Sequence, residues 1–194
     1  FSPAGAGTAE QFLSLLGILL HPDNQDLPFP VILTGPRDAA PYLQQLHDFV
    51  GATLGSDAQS RYQVIIDDPV AVSRQMNAGL KEVGRFRRER NDAFHFNWLL
   101  KIDEGFQHPF DPTHENMANL KLSRDVPAHQ LAANLRCAFS GIVSGNVKDK
   151  GIRRIEQFGP YEIHGDTAIM QPLDELLKAF VVQHRMKLPR GRPY

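Results

Sequence analysis

The stretch Pro30-Val31-Ile32-Leu33-Thr34 decides the fold, because it is a short apolar run with proline before it and Gly35-Pro36 after it. A run of this length between chain-breaking residues is typical of a strand buried in a parallel sheet. A second run, Tyr62-Gln63-Val64-Ile65-Ile66, follows after a helix-length segment. Apolar residues at helical spacing lie before, between and after the two runs. The order of elements over residues 1–90 therefore predicts an α/β fold with a doubly wound parallel sheet.

Three helices are predicted around these strands from apolar residues that recur every three or four positions. Their apolar faces are Phe12, Leu15, Leu16 and Leu19; Tyr42, Leu46, Phe49 and Val50; and Val72, Met76, Leu80 and Val83. Thr8 is predicted to open the first helix, because Thr8 and Gln11 have the spacing of a capping box. Asp68 is predicted as the N-cap of the third helix, with Pro69 at its first position.

The composition changes at the basic cluster of residues 85–90, which we take as the boundary between two domains. Residues 1–85 form the first predicted domain and residues 86–194 the second. The second domain is predicted to be mostly helical, and Pro127 opens its long helix. Just beyond the boundary, Phe94, Phe96 and Trp98 alternate with other residues as in a strand.

Composition excludes several classes of protein. The chain has 194 residues, of which 42% are hydrophobic, and this content is enough for a packed core. The formal net charge of -1 argues against a general nucleic-acid binder, which would carry a strong basic excess. No apolar run approaches the ~18–20 residues that span a bilayer. The single cysteine, Cys137, excludes an internal disulfide and a cysteine-based zinc site, and it fits a reducing cytoplasm.

The loop Pro3-Ala4-Gly5-Ala6-Gly7-Thr8 is the first candidate for ligand binding. Glycines let a ligand approach the main chain closely, and the free N–H groups of a following helix favour an anion such as phosphate. The Thr8 hydroxyl can add a hydrogen bond. From the glycines alone, a tight turn with a helix cap is the better interpretation. The eight histidines contain no i, i+4 pair, so no metal site is predicted.

Residues 3–11 resemble the PGGxGTxxE motif of the LOG family, whose members are Rossmann-like phosphoribohydrolases of nucleoside 5'-monophosphates. Much of the chain looks like one branch, the bacterial pyrimidine/purine nucleotide 5'-monophosphate nucleosidases. The segments that carry this resemblance are residues 15–22, 31–36, 96–98, 131–136, 139–143, 145–148 and 185–189. The resemblance implies a partial Rossmann-like sheet followed by a helical C-terminal domain. Because the chain begins at Phe1, close to the glycine-rich loop, we expect it to be the C-terminal fragment of a longer protein.

The resemblance also implies roles for the motif residues. Gly5, Gly7 and Thr8 would bind the 5'-phosphate, and the last motif position would stabilise the cation formed as the glycosidic bond breaks. That position holds Gln11 where the family has glutamate. Glutamine can hydrogen-bond to ribose but cannot hold a negative charge. Glu10 is adjacent, but its side chain leaves the helix about 100° away. No metal or redox cofactor is expected.

Three functions remain open from the sequence. The first is hydrolysis of the N-glycosidic bond of nucleoside 5'-monophosphates, and the second is a regulatory protein that binds these nucleotides without cleaving them. Gln11 favours the second. The third is a DNA-binding protein of the DNA-uptake type, which the near-neutral charge disfavours. The expected partners are nucleoside 5'-monophosphates, a regulatory nucleotide near the basic residues 81–90, and further copies of the chain. Neither a membrane nor a nucleic acid is expected as a partner.

Overall fold

The computed structural model describes residues 1–91 and 100–186, and most of this described chain is helical. The helices are α1 (Ala6–Leu19), α2 (Ala40–Leu54), α3 (Ser56–Gln59), α4 (Pro69–Glu89), α5 (Glu104–Gln107), α6 (His114–Ala118), α7 (Ala128–Val147), α8 (Asp149–Phe158) and α9 (Thr167–Val182), and the strands are β1 (Ile32–Gly35) and β2 (Gln63–Ile66). Among the described residues, no helix is both long enough and apolar enough to cross a membrane. The predicted strand at Phe94, Phe96 and Trp98 lies outside the described ranges.

The two strands pair in parallel, with Ile32 opposite Gln63 and Gly35 opposite Ile66. Phe1 lies on the other edge of β1, where its amino group donates to the Ile32 carbonyl at 2.8 Å. The Thr34 N–H in turn donates to the Phe1 carbonyl at 2.9 Å, which is the hydrogen-bond pattern of a parallel neighbour. The predicted parallel pairing is confirmed, and the complete doubly wound, Rossmann-like sheet remains a prediction.

The core is one cluster of buried apolar side chains that draws on both predicted domains. Helix α1 packs along α7, and α2 packs against α9. Phe12 and Leu16 of α1 are fully buried, as are Leu135 and Phe139 of α7. Full burial of such a side chain contributes about 1.5–3 kcal/mol, so the pairing of α1 with α7 is a main source of stability. The predicted division at residue 85 stays a prediction.

Helix α4 is the longest helix of the described chain, and none of its 21 residues is buried. The predicted apolar residues do lie in this helix, but one of them, Leu80, is 56% exposed. In the described structure the helix packs on the sheet mainly through β1, so part of its apolar face has no surface that covers it. The basic residues at its end are partly paired along the helix, since Arg85 contacts Glu82 and lies 3.8 Å from Glu89.

The start of α4 gives a stability prediction. Asp68 is its N-cap, as predicted, and its Oδ1 accepts the Ala71 N–H at 2.8 Å. We expect Asp68→Ala to lower the free energy of unfolding by about 1 kcal/mol, the usual contribution of such a cap. Urea denaturation followed by circular dichroism measures the change. Asp68→Asn is the control, because asparagine keeps the acceptor, and equal losses in both variants would contradict a capping role.

Candidate active site

The glycine-rich loop lies at the carboxyl edge of the sheet, where β1 and β2 both end. A Cβ built on Gly35, the last residue of β1, would lie 2.9 Å from Cδ of Pro3, so the loop crosses directly over this strand end. Beside it, Arg37 Nη2 lies 3.4 Å from Asp67 Oδ2, which joins the segments that follow the two strands. In open α/β sheets, ligands bind at this edge, so the predicted loop has the position of a binding site.

Helix α1 begins earlier than the sequence predicts. Its N-cap is Gly5, in an extended conformation with φ -165°, and no side chain caps the helix there. The Gly5 carbonyl accepts the N–H groups of Thr8 at 3.0 Å and Ala9 at 3.2 Å. The prediction that Thr8 opens the helix through a capping box is therefore wrong, because Thr8 already lies within the first turn. This start leaves the N–H groups of Ala6 and Gly7 without an intrahelical acceptor.

The two glycines of the loop have opposite surroundings. A Cβ built on Gly5 would lie 2.4 Å from the carbonyl oxygen of Arg185, a separation that real Cβ atoms do not reach. A Cβ built on Gly7 would have no heavy atom of any other part of the described chain within 4 Å. Gly5 is therefore required by the packing of the protein itself, whereas the open space over Gly7 is available to a ligand.

Tyr42 and Arg185 support the loop, and sequence reasoning missed both roles. Tyr42 is 1% exposed, and its hydroxyl donates to the Gly5 carbonyl at 3.4 Å. Burial raises the pKa of Tyr42 to about 12, so this hydroxyl stays protonated and remains a donor. Arg185 Nη1 donates to the Ala4 carbonyl at 3.2 Å. The only signal for Arg185 in the sequence is its place in the family-like segment 185–189.

The two candidate catalytic residues lie on different sides of α1. Gln11 is exposed, whereas Glu10 is half-buried on the side that faces α7. Glu10 lies near enough to Cys137 for its negative charge to add to burial in raising the pKa of that thiol. Glu10 therefore faces away from the surface that Gln11 occupies, which agrees with the angle expected between adjacent helical residues.

A cluster that the sequence did not predict lies at the far end of α1. One nitrogen or oxygen atom each of His21, Asp103 and His129 lies within 4.8 Å of the others. His21 Nδ1 accepts the Asp23 N–H at 3.1 Å, so a neutral ring has its proton on Nε2. That nitrogen lies 3.3 Å from Asp103 Oδ1. A metal ion would need the same nitrogen as a lone-pair donor, so the arrangement favours a hydrogen-bonded histidine–aspartate pair.

Comparisons with known proteins identify the family of the chain. Residues 80–194 match the family model described as "Pyrimidine/purine nucleotide monophosphate nucleosidase, C-terminal". Proteins named pyrimidine/purine nucleotide 5'-monophosphate nucleosidase from Escherichia coli strains K12, O6:H1 and O157:H7 are 56% identical to this chain over 187 residues. The match covers 96% of this chain but 41% of each relative, so the chain spans about two fifths of their length. Because the family model covers more than half of the chain, the protein belongs to the pyrimidine/purine nucleotide monophosphate nucleosidase C-terminal family.

Proposed function

We propose that this chain is the C-terminal part of an enzyme that hydrolyses the N-glycosidic bond of purine and pyrimidine nucleoside 5'-monophosphates. The products are the free base and ribose 5-phosphate. The names of the relatives support this reaction, and so does the resemblance of residues 3–11 to the LOG-family motif. The observation that carries the proposal is the open space over Gly7 at the start of α1, at the carboxyl edge of the sheet.

The first turn of α1 supplies the groups that a phosphate needs. The N–H groups of Ala6 and Gly7 have no intrahelical acceptor, and the helix dipole adds positive potential at this end. The Thr8 hydroxyl lies in the same turn and offers a further donor. Binding by main-chain N–H groups depends on space, which a glycine at position 7 provides.

The chemical step needs more than phosphate binding. The bond between C1' of ribose and the base nitrogen breaks with a developing positive charge on the sugar, water adds at C1', and the base leaves with a proton. A carboxylate near the sugar stabilises that charge, and in the LOG family the last residue of the motif is glutamate. Gln11 occupies this position. It can hydrogen-bond to ribose hydroxyls, but it lacks the negative charge.

Gln11 favours a second candidate function, in which the protein binds nucleoside monophosphates as a regulator and cleaves none of them. Main-chain binding of phosphate would survive the exchange of glutamate for glutamine, whereas charge stabilisation would not. Both functions share the same loop. They differ only in whether base is released.

The test of the proposed function is base release by the complete protein, meaning this chain together with the N-terminal part that its relatives have. A panel of purine and pyrimidine nucleoside monophosphates is compared with the same nucleosides lacking phosphate. Release from the monophosphates alone supports the proposal. Binding without release supports the regulatory function, and absence of both contradicts the two candidates together.

Gly7→Ala tests the phosphate site separately from the fold. We expect the affinity for adenosine monophosphate to fall by about tenfold or more, because the new methyl group occupies the space over the loop and costs at least one charge-assisted contact. The free energy of unfolding should stay the same or rise by up to about 1 kcal/mol, since alanine favours a helix over glycine. Isothermal titration calorimetry and urea denaturation measure the two effects.

Two outcomes of the Gly7→Ala experiment would count against the site. One is unchanged nucleotide affinity, because the methyl group would then lie outside the binding site. The other is loss of affinity together with a large loss of stability, because the affinity change would then follow from unfolding. Ala78→Gly is a control for the effect of helix propensity, since it makes the reverse exchange at an exposed position within α4, away from the loop.

Self-association, a regulatory nucleotide and a cytoplasmic location also belong to the proposal. The uncovered face of α4 supports self-association, since Val70 and Leu80 on this helix are 67% and 56% exposed. The basic residues 81–90, five cations against two anions, support a second anionic ligand at the end of the same helix. The presence of a single cysteine supports a reducing cytoplasm.

A further inference from the structure

The chain returns to the loop after α9. The Arg185 N–H donates to the Phe180 carbonyl at 2.7 Å, and the Met186 N–H donates to the same oxygen at 3.2 Å. His184, between α9 and Arg185, has φ 56°, a left-handed conformation that turns the chain sharply. These bonds fix the main chain of Arg185 where its carbonyl packs against Gly5.

The side chain of Arg185 is held on three sides. Its guanidinium lies 4.7 Å above the centre of the Tyr42 ring. Nε donates to Gln183 Oε1 at 3.2 Å, and Nη1 donates to the Ala4 carbonyl at 3.2 Å. Gln183 is held in turn by a hydrogen bond, in which its Nε2 donates to Oε1 of Gln45 in α2 at 2.6 Å. These contacts give the side chain of Arg185 a defined position, although the residue is only half-buried and remains accessible to solvent.

The positive charge of Arg185 is not neutralised by a carboxylate of the described residues. Within residues 1–91 and 100–186, no carboxylate forms an ion pair with it. A guanidinium has five N–H donors, and two of its nitrogen atoms have the partners described above. As far as the described residues show, part of the charge of Arg185 and some of its N–H groups therefore have no partner beside Ala4, one residue before the N-cap of α1.

We propose that Arg185 is a positioning residue of the phosphate loop, an inference that rests on the proposed function. Its Nη1 holds the Ala4 carbonyl, so the peptide between Ala4 and Gly5 keeps the orientation from which α1 starts. Its charge adds to the positive end of α1, where the 5'-phosphate binds. The family-specific C-terminal part of the chain thereby contributes a residue to the nucleotide site at the opposite end of the sequence.

Arg185→Gln in the complete protein tests this role. We expect KM for nucleoside monophosphates to rise about ten- to a hundredfold, the range for loss of a charge-assisted contact, while kcat changes much less. The inhibition constant of ribose 5-phosphate should rise by a similar factor, because it shares the phosphate. Arg185→Lys should recover part of the affinity, since the ammonium keeps the charge but loses the planar donor geometry.

Arg153→Gln is the matched control, because Arg153 is an exposed arginine on α8 and its removal changes the net charge equally. Urea denaturation of each variant separates misfolding from altered binding. Unchanged KM and unchanged ribose 5-phosphate inhibition in folded Arg185→Gln would overturn the proposal, and so would an equal effect of Arg153→Gln.

The proposed reaction and the positioning role of Arg185 can be contradicted separately. If the unaltered protein binds nucleotide without releasing base, the proposed reaction fails, and calorimetric affinity for adenosine monophosphate replaces KM as the readout for Arg185. A weaker affinity in Arg185→Gln than in Arg153→Gln would then still support the positioning role. If the unaltered protein binds no nucleotide, both proposals are overturned.

Discussion

Gln11→Glu is expected to raise the rate of base release from nucleoside monophosphates by about a hundredfold or more. The new carboxylate would lie at the exposed position on α1 where the LOG-family motif has glutamate, and it would stabilise the positive sugar as the glycosidic bond breaks. A positioned charged or acid–base group contributes typically ~10²–10⁴-fold to such a step. Single-turnover release of base, measured by chromatography on the complete protein, gives the change without interference from product release.

Nucleotide affinity distinguishes the possible outcomes of Gln11→Glu. Faster release with unchanged affinity would show that only the charge was missing at position 11. If affinity collapses and release does not rise, Gln11 is a specific binding residue, and the regulatory function gains support. Glu10→Gln is the companion variant. If the unaltered protein already releases base and Glu10→Gln abolishes this release, the half-buried neighbour supplies the carboxylate and our assignment to position 11 is wrong.

Gly5→Ala is expected to destabilise the protein by about 1–3 kcal/mol, the usual cost of forcing a methyl group into a packed site. The clash would be with the main-chain carbonyl of Arg185 at 2.4 Å, which cannot move by a simple rotamer change. The extended φ of Gly5 suits alanine, so the cost arises from packing and not from the backbone. Either the segment after α9 or the loop must shift, and we expect nucleotide affinity to fall as well. Urea denaturation and calorimetric titration measure the two losses.

Gly7→Ala is the matched control for Gly5→Ala, because the two positions are two residues apart in the same loop. It is expected to reduce nucleotide affinity while leaving the stability intact. If Gly5→Ala leaves the midpoint of urea unfolding unchanged, the close packing of Arg185 on the loop is refuted. If both variants destabilise equally, the contrast between a packed and an open glycine is wrong.

Apolar spacing was sufficient to predict the elements that build the core. Phe12, Leu16 and Leu19 recur at helical spacing and are all fully buried in α1. The apolar runs at residues 30–34 and 62–66 became the two parallel strands, and Asp68 caps α4. These predictions succeeded because each depends on neighbours within a few residues, where periodicity and burial are directly linked.

The predictions that failed or were missed depend on distant residues or on competition between nearby ones. Thr8 has the side chain of a good cap, but the Gly5 carbonyl already binds the N–H groups of Thr8 and Ala9. The spacing of Leu80 cannot show whether a surface covers it. His21, Asp103 and His129 come from three separate segments, so no local pattern predicts their cluster.

The candidate site was predictable in outline only. The motif predicts the loop and the helix after it, and the resemblance implies that Gly5, Gly7 and Thr8 bind the phosphate. That Gly5 serves packing and Gly7 leaves open space became visible only in three dimensions, because the neighbour of Gly5 is Arg185. Whether these residues and Gln11 bind substrate stays a prediction until the variants are measured.

The contact between Ala4 and Arg185 joins residues 181 positions apart, and this separation has a consequence for the synthesis of the protein. A ribosome adds ~5–20 residues per second, so Arg185 is synthesised roughly 10–40 s after Ala4. Contacts between distant residues also form late in folding, because the long intervening chain must first be ordered. A nascent chain would therefore carry a loop without this support at least until the segment that contains Arg185 has left the ribosome and folded back onto Ala4.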